Sequence, residues 1–383
     1  NSGNFLIRVR VKDAKGDSAV SDWISYRIDP SINRNSKIAF FPLENISGVK
    51  APLAEISNKY RDLLEKEGLQ LLSEERLDKF MFRHRVRYTG GVSSELAHAL
   101  LEEEGVEAVF ITSLESYAED IPPKVALTSR LVLCREVPEI VWIEGVGLSG
   151  EDTPGLLGLK RIKNFEVLQE KALKMLLTSL QEYLAGQRSS RAVKRDKIMP
   201  NDYYLATDFV ANEQYKIAIV PFLNRYARRN AGFVVPLHFV EALSRYENLQ
   251  VVEPGLVREQ LLKYRLIMQA GPSLAIADVL ASDTTLGADL ILSGYVFDYQ
   301  DKFGTPKIDF ATRLFSGPKR EIVWWSRSYA AGDDGVYFFD FGRYNSTHVM
   351  LQEMVRAISG LLFPHKTLRA EMPENKVQEQ LQH

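Results

Sequence analysis

The sequence predicts an α/β (α+β) chain in which one mixed-sheet, helix-packed domain occurs as two tandem copies. The first observation is a repeat. Lys37-Ile38-Ala39-Phe40-Phe41-Pro42-Leu43-Glu44-Asn45 returns 179 positions later as Lys216-Ile217-Ala218-Ile219-Val220-Pro221-Phe222-Leu223-Asn224. Gly105-Val106-Glu107-Ala108-Val109 and Glu139-Ile140-Val141-Trp142 return 182 positions later, as Gly287-Ala288-Asp289-Leu290-Ile291 and Glu321-Ile322-Val323-Trp324. The small drift in offset means small insertions between copies. Copies of about 150 residues are domains rather than solenoid units, because each can bury its own core. The second observation is the order of patterns within each copy: strands alternate with helices, and a hairpin follows. The third is composition. Of 383 residues, 45% are hydrophobic and 26% charged, as in ordinary globular protein, and no apolar run reaches the length of a membrane-spanning helix.

Taken in order, Phe5, Ile7, Val9 and Val11 alternate with Leu6, Arg8, Arg10 and Lys12, the period of a strand. Asp13–Asp17 is a turn cluster, and Ser21–Ile28 is a second strand. This hairpin, residues 1–30, resembles the last two strands of a fibronectin type III or immunoglobulin-like β-sandwich. An isolated hairpin is marginal in water, so further strands are expected upstream or from a partner.

Copy one is assigned to residues 36–187. Lys37–Phe41 is a strand, and Ala51–Gly68 a helix with Leu53, Ile56, Tyr60, Leu63 and Leu64 on one face. Leu69–Leu72 is a short strand, and Ser73 and Ser93 stand at helix N-caps. Ala108–Thr112 is a buried strand, Lys124–Cys134 and Ile140–Gly147 a hairpin, and Phe165–Leu184 a closing helix. A basic linker is assigned to 188–212, with Arg188, Arg191, Lys194, Arg195 and Lys197. Copy two, 213–366, repeats the order: strand Ile217–Pro221, helix Val235–Tyr246, strand Leu249–Val252 and a helix opened by Glu253-Pro254. Then come helix Ser273–Thr285, strand Asp289–Leu292, hairpin Ile308–Leu314 with Ile322–Ser328, and helix Thr347–Leu362. Residues 367–383 are a polar tail.

The opening strand K-I-A-x-x-P-[FL]-x-N, the run G-[VA]-[ED]-[AL]-[VI] and the hairpins Arg130-Leu131 to Trp142 and Arg313-Leu314 to Trp324 resemble the TolB amino-terminal domain and CsgG-like envelope proteins. The resemblance implies periplasmic or outer-membrane-associated proteins, often lipoproteins, that bind and assemble rather than catalyse. One departure is that no amphipathic hairpin is inserted for a bilayer-crossing pore.

Individual motifs carry little chemistry. Gly145, Gly147 and Gly150 match G-x-G-x-x-G, but Glu151–Gly155 follows as loop where a dinucleotide site needs a helix. His84, His98, His238, His348, His365 and His383 show no metal-type spacing. No catalytic, cofactor-binding or metal-ligating set is assigned. The single cysteine, Cys134, excludes an intrachain disulfide and is expected to be buried and inert. Asn45 and Asn345 begin glycosylation-type sequons, and Asn45 is expected to serve a turn. The basic linker, and Arg83, Arg85 and Arg87, would suit anionic polymer or lipid headgroups, but a solvated role is preferred. With a net charge of −2 and no aromatics among the linker charges, no nucleic-acid partner is expected.

The sharper candidates are two apolar, glycine-bracketed loops before the closing helices. They carry Leu156 and Leu157 in copy one, and Tyr337, Phe338, Phe339 and Phe341 in copy two. Such side chains supply contact area if exposed, or fold under the sheet. The resulting expectation is a non-enzymatic envelope scaffold or adaptor that binds other envelope proteins. Its membrane association would come only through a lipid anchor upstream. One alternative is a ring-forming homo-oligomeric subunit of a secretion or surface-appendage apparatus, which needs closing head-to-tail contacts. The other is an enzyme acting on envelope polymers, which needs a polar cleft with perturbed carboxylates.

Overall fold

The computed structural model describes residues 32–152, 161–187, 198–268, 271–301, 304–334 and 343–364, and the backbone of four strands before them. The chain divides into two compact units, Asn1–Lys194 and Arg195–His383. In the first, β1 (Gly3–Ile7) pairs antiparallel with β4 (Ile24–Ile28), and β2 (Arg10–Lys12) with β3 (Ser18–Val20). The expected N-terminal hairpin pairing is therefore present.

The rest of unit 1 is a mixed sheet between two helix layers. Its strands are β5 (Lys37–Phe40), β6 (Glu44–Asn45), β7 (Gln70–Leu71), β8 (Ala108–Ala118), β9 (Lys124–Leu133) and β10 (Glu139–Ser149). The order is β10-β9-β8-β5-β7, with β6 beside β8. β5 runs parallel to β7 and β8, while β8, β9 and β10 form an antiparallel meander. Helices α1 (Leu53–Lys66) and α4 (Phe165–Leu184) cover one face, packing Tyr60, Leu64, Leu173 and Leu176 onto Phe40, Phe110 and Trp142. Helices α2 (Glu74–Arg83) and α3 (Ser94–Glu104) cover the other, packing Leu77, Phe80 and Leu100 onto Val109, Ile111 and Val132. The caps follow local chemistry. Ser93 accepts from the Leu96 N–H at 3.2 Å, and Gly105 closes α3 at φ 64°. Ser73 holds the N-cap position of α2 without a side-chain bond.

Unit 2 repeats the arrangement with β12 (Tyr215–Ile219), β13 (Leu223–Asn224), β14 (Leu249–Val251), β15 (Leu290–Gln300), β16 (Lys307–Ser316) and β17 (Glu321–Ala331). The helices are α5 (Ala231–Leu243), α6 (Pro254–Lys263), α7 (Leu274–Ala281) and α8 (Thr347–Leu362). The order β17-β16-β15-β12-β14, with β13 beside β15, is that of unit 1. Two β-bulges recur at matching places. Glu115 in β8 and Phe297 in β15 interrupt the first meander pairing; Val141 in β10 and Val323 in β17 interrupt the second. The motif asparagines have a common role. Asn45 Nδ2 donates to the Val49 carbonyl at 2.8 Å, and Asn224 Nδ2 to the Arg228 carbonyl at 2.7 Å, so each side chain closes the turn after its strand.

Several elements differ from the sequence expectation: β8 and β15 run longer than read, and α7 is shorter than the expected Ser273–Thr285. Residues 202–205, within the stretch read as linker, form β11 (Asp202–Leu205), which pairs antiparallel with β17 at the sheet edge. Tyr203 stacks on Trp324 at 5.4 Å, and the Asn201 and Ala206 N–H groups bond the Arg327 and Val323 carbonyls at 2.9 Å. Helix α5 begins at Ala231, before the expected Val235, and runs through Pro236. Proline has no N–H for the carbonyl one turn back. The Phe222 N–H bonds that Gly232 carbonyl instead, at 2.8 Å, so the helix continues with its backbone satisfied.

Candidate functional site

The predicted contact residues Leu156, Leu157, Tyr337, Phe338, Phe339 and Phe341 lie outside the described residues. The roots of their loops are described, and they match between units. Gly150 donates its N–H to the Pro123 carbonyl at 2.8 Å and accepts from the Ile162 N–H at 3.0 Å. Gly332 donates to the Pro306 carbonyl at 2.7 Å and accepts from the Tyr344 N–H at 2.9 Å. The first turn is also repeated: the Asp152 carboxylate accepts from the Ser149 N–H at 2.6 Å, and Asp334 from the Ala331 N–H at 2.7 Å. A Cβ at Gly150 would overlap the Ile162 carbonyl oxygen, and one at Gly332 would lie 2.5 Å from the Tyr344 carbonyl oxygen. Glycine is required at both roots for close approach rather than for turning. The third glycine of the G-x-G-x-x-G match is therefore a loop root, and Gly145 and Gly147 lie inside β10.

In unit 2 the later halves of β15 and β17, with β16 running antiparallel between them, carry side chains that sequence reasoning did not single out. Arg327 lies 3.8 Å over the Phe297 ring and pairs with Asp309 at 2.6 Å. Arg225 lies 4.8 Å and Arg313 5.8 Å over the Tyr295 ring, which stacks with Phe297 at 5.9 Å. Trp325 is half-buried beside Arg327, and Tyr329, opposite Asp309, is 44% exposed. Period-two spacing puts Trp325, Arg327 and Tyr329 on one face of β17. The bulge at Phe297 turns that side chain toward Arg327. At the matching positions of unit 1 stand Ile143, Gly145, Gly147, Ser113 and Glu115. The ladder of arginines and aromatics thus belongs to unit 2, although the strands beneath it are common to both. Its signal in the sequence was the alternation Trp325-x-Arg327-x-Tyr329, where copy one has Ile and two glycines.

Unit 2 also brings together two histidines that the sequence separates by 110 positions. His238 on α5 and His348 on α8 are buried, with ring centroids 4.5 Å apart. Glu241, one turn along α5, accepts from Arg245 at 2.7 Å and from Gln352 Nε2 at 3.1 Å. Burial acts to raise the Glu241 carboxyl, but the nearby Arg245, the two imidazoles and Arg356 outweigh it and hold it below the usual range. The cluster joins α5 to α8 by charge as well as packing. Imidazoles are donor types that divalent transition metals take, which makes His238 and His348 the first pair in unit 2 for a metal-binding assay. Cys134, just past β9, is buried, and burial pushes its thiol up to about 12, opposite to the shift of a catalytic thiolate.

No protein-family model matches the chain, and no curated protein matches it. Among solved structures, the PelC dodecamer from Paraburkholderia phytofirmans is similar over 42% of this chain and 95% of that chain, at 13% identity and a TM-score of 0.28. The LpoB C-terminal domain from Escherichia coli is similar over 31% of this chain and 86% of that chain, at 16% identity and a TM-score of 0.26. Lipoprotein GNA1162 from Neisseria meningitidis is similar over 42% of this chain and 99% of that chain, at 15% identity and a TM-score of 0.25. Likenesses at these scores carry no inference.

Proposed function

We propose that this protein is a non-enzymatic adaptor of the bacterial cell envelope, periplasmic or outer-membrane-associated, which binds other envelope proteins. The observation that carries the binding role is the ladder of unit 2, where half-buried Arg327 lies over Phe297 beside Trp325 and the exposed Tyr329. Arginine, tryptophan and tyrosine dominate the energetics of protein interfaces: the aromatics cover large area with few torsions to freeze, and arginine adds a planar fork of donors. Here the Arg327 guanidinium already lies over Phe297 and pairs with Asp309, so a partner meets a preformed surface. The envelope assignment is supported by the K-I-A-x-x-P strand motif, present in both copies.

A photo-crosslinking side chain in place of Tyr329, in cells, tests the reading. Crosslinks to an envelope protein that disappear on Arg327→Ala, with unfolding unchanged, are expected. Absence of any crosslink would refute it. A crosslink only to a second copy of the chain, with a large uniform particle by light scattering, would move the assignment to a ring-forming subunit.

A further inference from the structure

We infer that the C-terminal ends of α2 and α6 are membrane-contact tips, each offering an exposed apolar side chain among cationic ones to the surface of an anionic lipid bilayer. The two ends share one backbone design. Past α2, Arg85 adopts a left-handed conformation at φ 52°, and the Val86 N–H reaches back to the Met81 carbonyl at 2.9 Å. Past α6, Arg265 does the same at φ 58°, and the Leu266 N–H reaches the Leu261 carbonyl at 2.7 Å. Glycine is the residue that fits this position without strain. Both units place an arginine there.

The side chains around the two arginines are also alike. Phe82, Arg83, His84 and Arg85 are exposed and Val86 turns inward; Leu262, Lys263, Tyr264 and Arg265 are exposed and Leu266 turns inward. Phe82 is 88% exposed, and Met268, three residues beyond Arg265, is 90% exposed. Arg83 and His84 are engaged by Glu103. Among the described residues, no carboxylate pairs with Arg85, Arg87, Lys263 or Arg265, so each tip keeps a local positive excess on a chain of net charge −2.

A single exposed apolar side chain needs no explanation. Two at corresponding helix ends, each flanked by unpaired cations on a strained backbone, match the chemistry of a bilayer surface. Phenylalanine, leucine and methionine enter the boundary between headgroups and acyl chains, while guanidinium and ammonium groups bind lipid phosphates. A soluble polyanion would use the cations and leave Phe82 and Met268 without a role. The contact is separate from any upstream lipid anchor and from the sheet face of unit 2.

The test is co-flotation of the full chain, carrying no covalently attached lipid, on vesicles of phosphatidylcholine alone or with about one-third phosphatidylglycerol. Binding to the anionic vesicles only is expected, because each basic side chain adds about fivefold to partitioning there. The paired variant R85G/R265G should lose at least about fivefold in binding, the share of one basic side chain. Since glycine suits the left-handed positions, its thermal stability should be equal or higher, and misfolding cannot explain the loss. The variant F82S/M268S should bind at least fivefold more weakly. Failure to bind anionic vesicles overturns the inference. So does binding that F82S/M268S leaves unchanged and soluble polyphosphate removes, which would mark a polyanion site.

Discussion

Replacing the loop-root glycines with alanine separates two reasons for a glycine. At Gly332 the new methyl would lie 2.5 Å from the Tyr344 carbonyl oxygen and 2.9 Å from Pro306 Cδ. Ordinary contacts begin near 3.4 Å, and neither neighbour is a flexible side-chain end. Both take part in the hydrogen bonds that hold the root: Gly332 to Pro306 at 2.7 Å and Tyr344 to Gly332 at 2.9 Å. Relief must lengthen one of these or shift the strand end. Overpacking of this kind costs about 1–3 kcal/mol, and a weakened hydrogen bond adds about 1 kcal/mol, so a loss of about 2–3 kcal/mol is expected. Gly150 has the same geometry in unit 1, with Pro123 Cδ at 2.8 Å, and should behave alike. The control is Gly68→Ala, at φ 84° with nothing within 4 Å, where only the left-handed backbone costs about 1 kcal/mol. Urea unfolding followed by tryptophan fluorescence reads both units, through Trp142 in one and Trp324 in the other. If G332A and G150A cost no more than G68A, the roots are looser than described and the argument for a built loop base fails.

Other consequences are equally direct. Thr312 bonds Ser326 at 2.6 Å and accepts from Trp324 Nε1 at 2.9 Å in the core, so T312V should lower stability by about 1–3 kcal/mol in urea titrations, and S326A by less. Asn164 caps α4 by accepting from Glu166 and Val167, and N164A should cost about 1 kcal/mol in the same assay. Glu241 has a depressed folded pKa, so its contribution is present above its ordinary value of 4.5 and disappears as pH falls through the folded one; E241Q should flatten the acid limb of a stability–pH curve. Cys134, raised from 9.0 to about 12, should resist iodoacetamide at pH 8 until urea unfolds unit 1. Rapid native labelling would contradict its burial.

Much of the fold was legible because local patterns and packing agree. The helix read as Phe165–Leu184 is observed with those limits, since Asn164 caps it and its apolar face meets the sheet. The strand read as Ala108–Thr112 continues to Ala118. Ser113, Glu115 and Ser116 concealed it, because polar residues read as loop, whereas Ser113 is buried donating to Glu44 and Glu115 is buried accepting from Thr128. Alternation also misleads where a bulge resets it. Ile140 packs toward α2 and α3, yet Trp142, two residues on, packs toward α1 and α4, because Val141 inserts between them. β11 was obscured by the charges preceding it, although Tyr203 and Tyr204 favour a strand. Of the candidate sites, the loop roots were not legible: Gly150 stood only in a G-x-G-x-x-G match discounted by the loop after it, Gly332 drew no reading, and the glycines bracketing the apolar loops lie outside the described residues. The arginine–aromatic ladder and the histidine pair depend on strands and helices far apart in sequence, and no local spacing encodes them.

Both units carry nearly one strand, Lys-Ile-Ala, placed within the mixed sheet against a partner about 70 residues further on: Ile38 beside Ala108, and Ile217 beside Leu290. The meanders close early because their contacts are local, whereas the opening strand must wait for a long loop to close. A chain emerging from the ribosome completes the β5–β8 pairing before β12 exists, so each strand finds its own sheet. A full-length chain diluted from denaturant has no such order. There β5 and β12 are expected to compete for the same two berths, with exchange between them giving molecules whose every local contact is native in kind but whose connectivity is crossed.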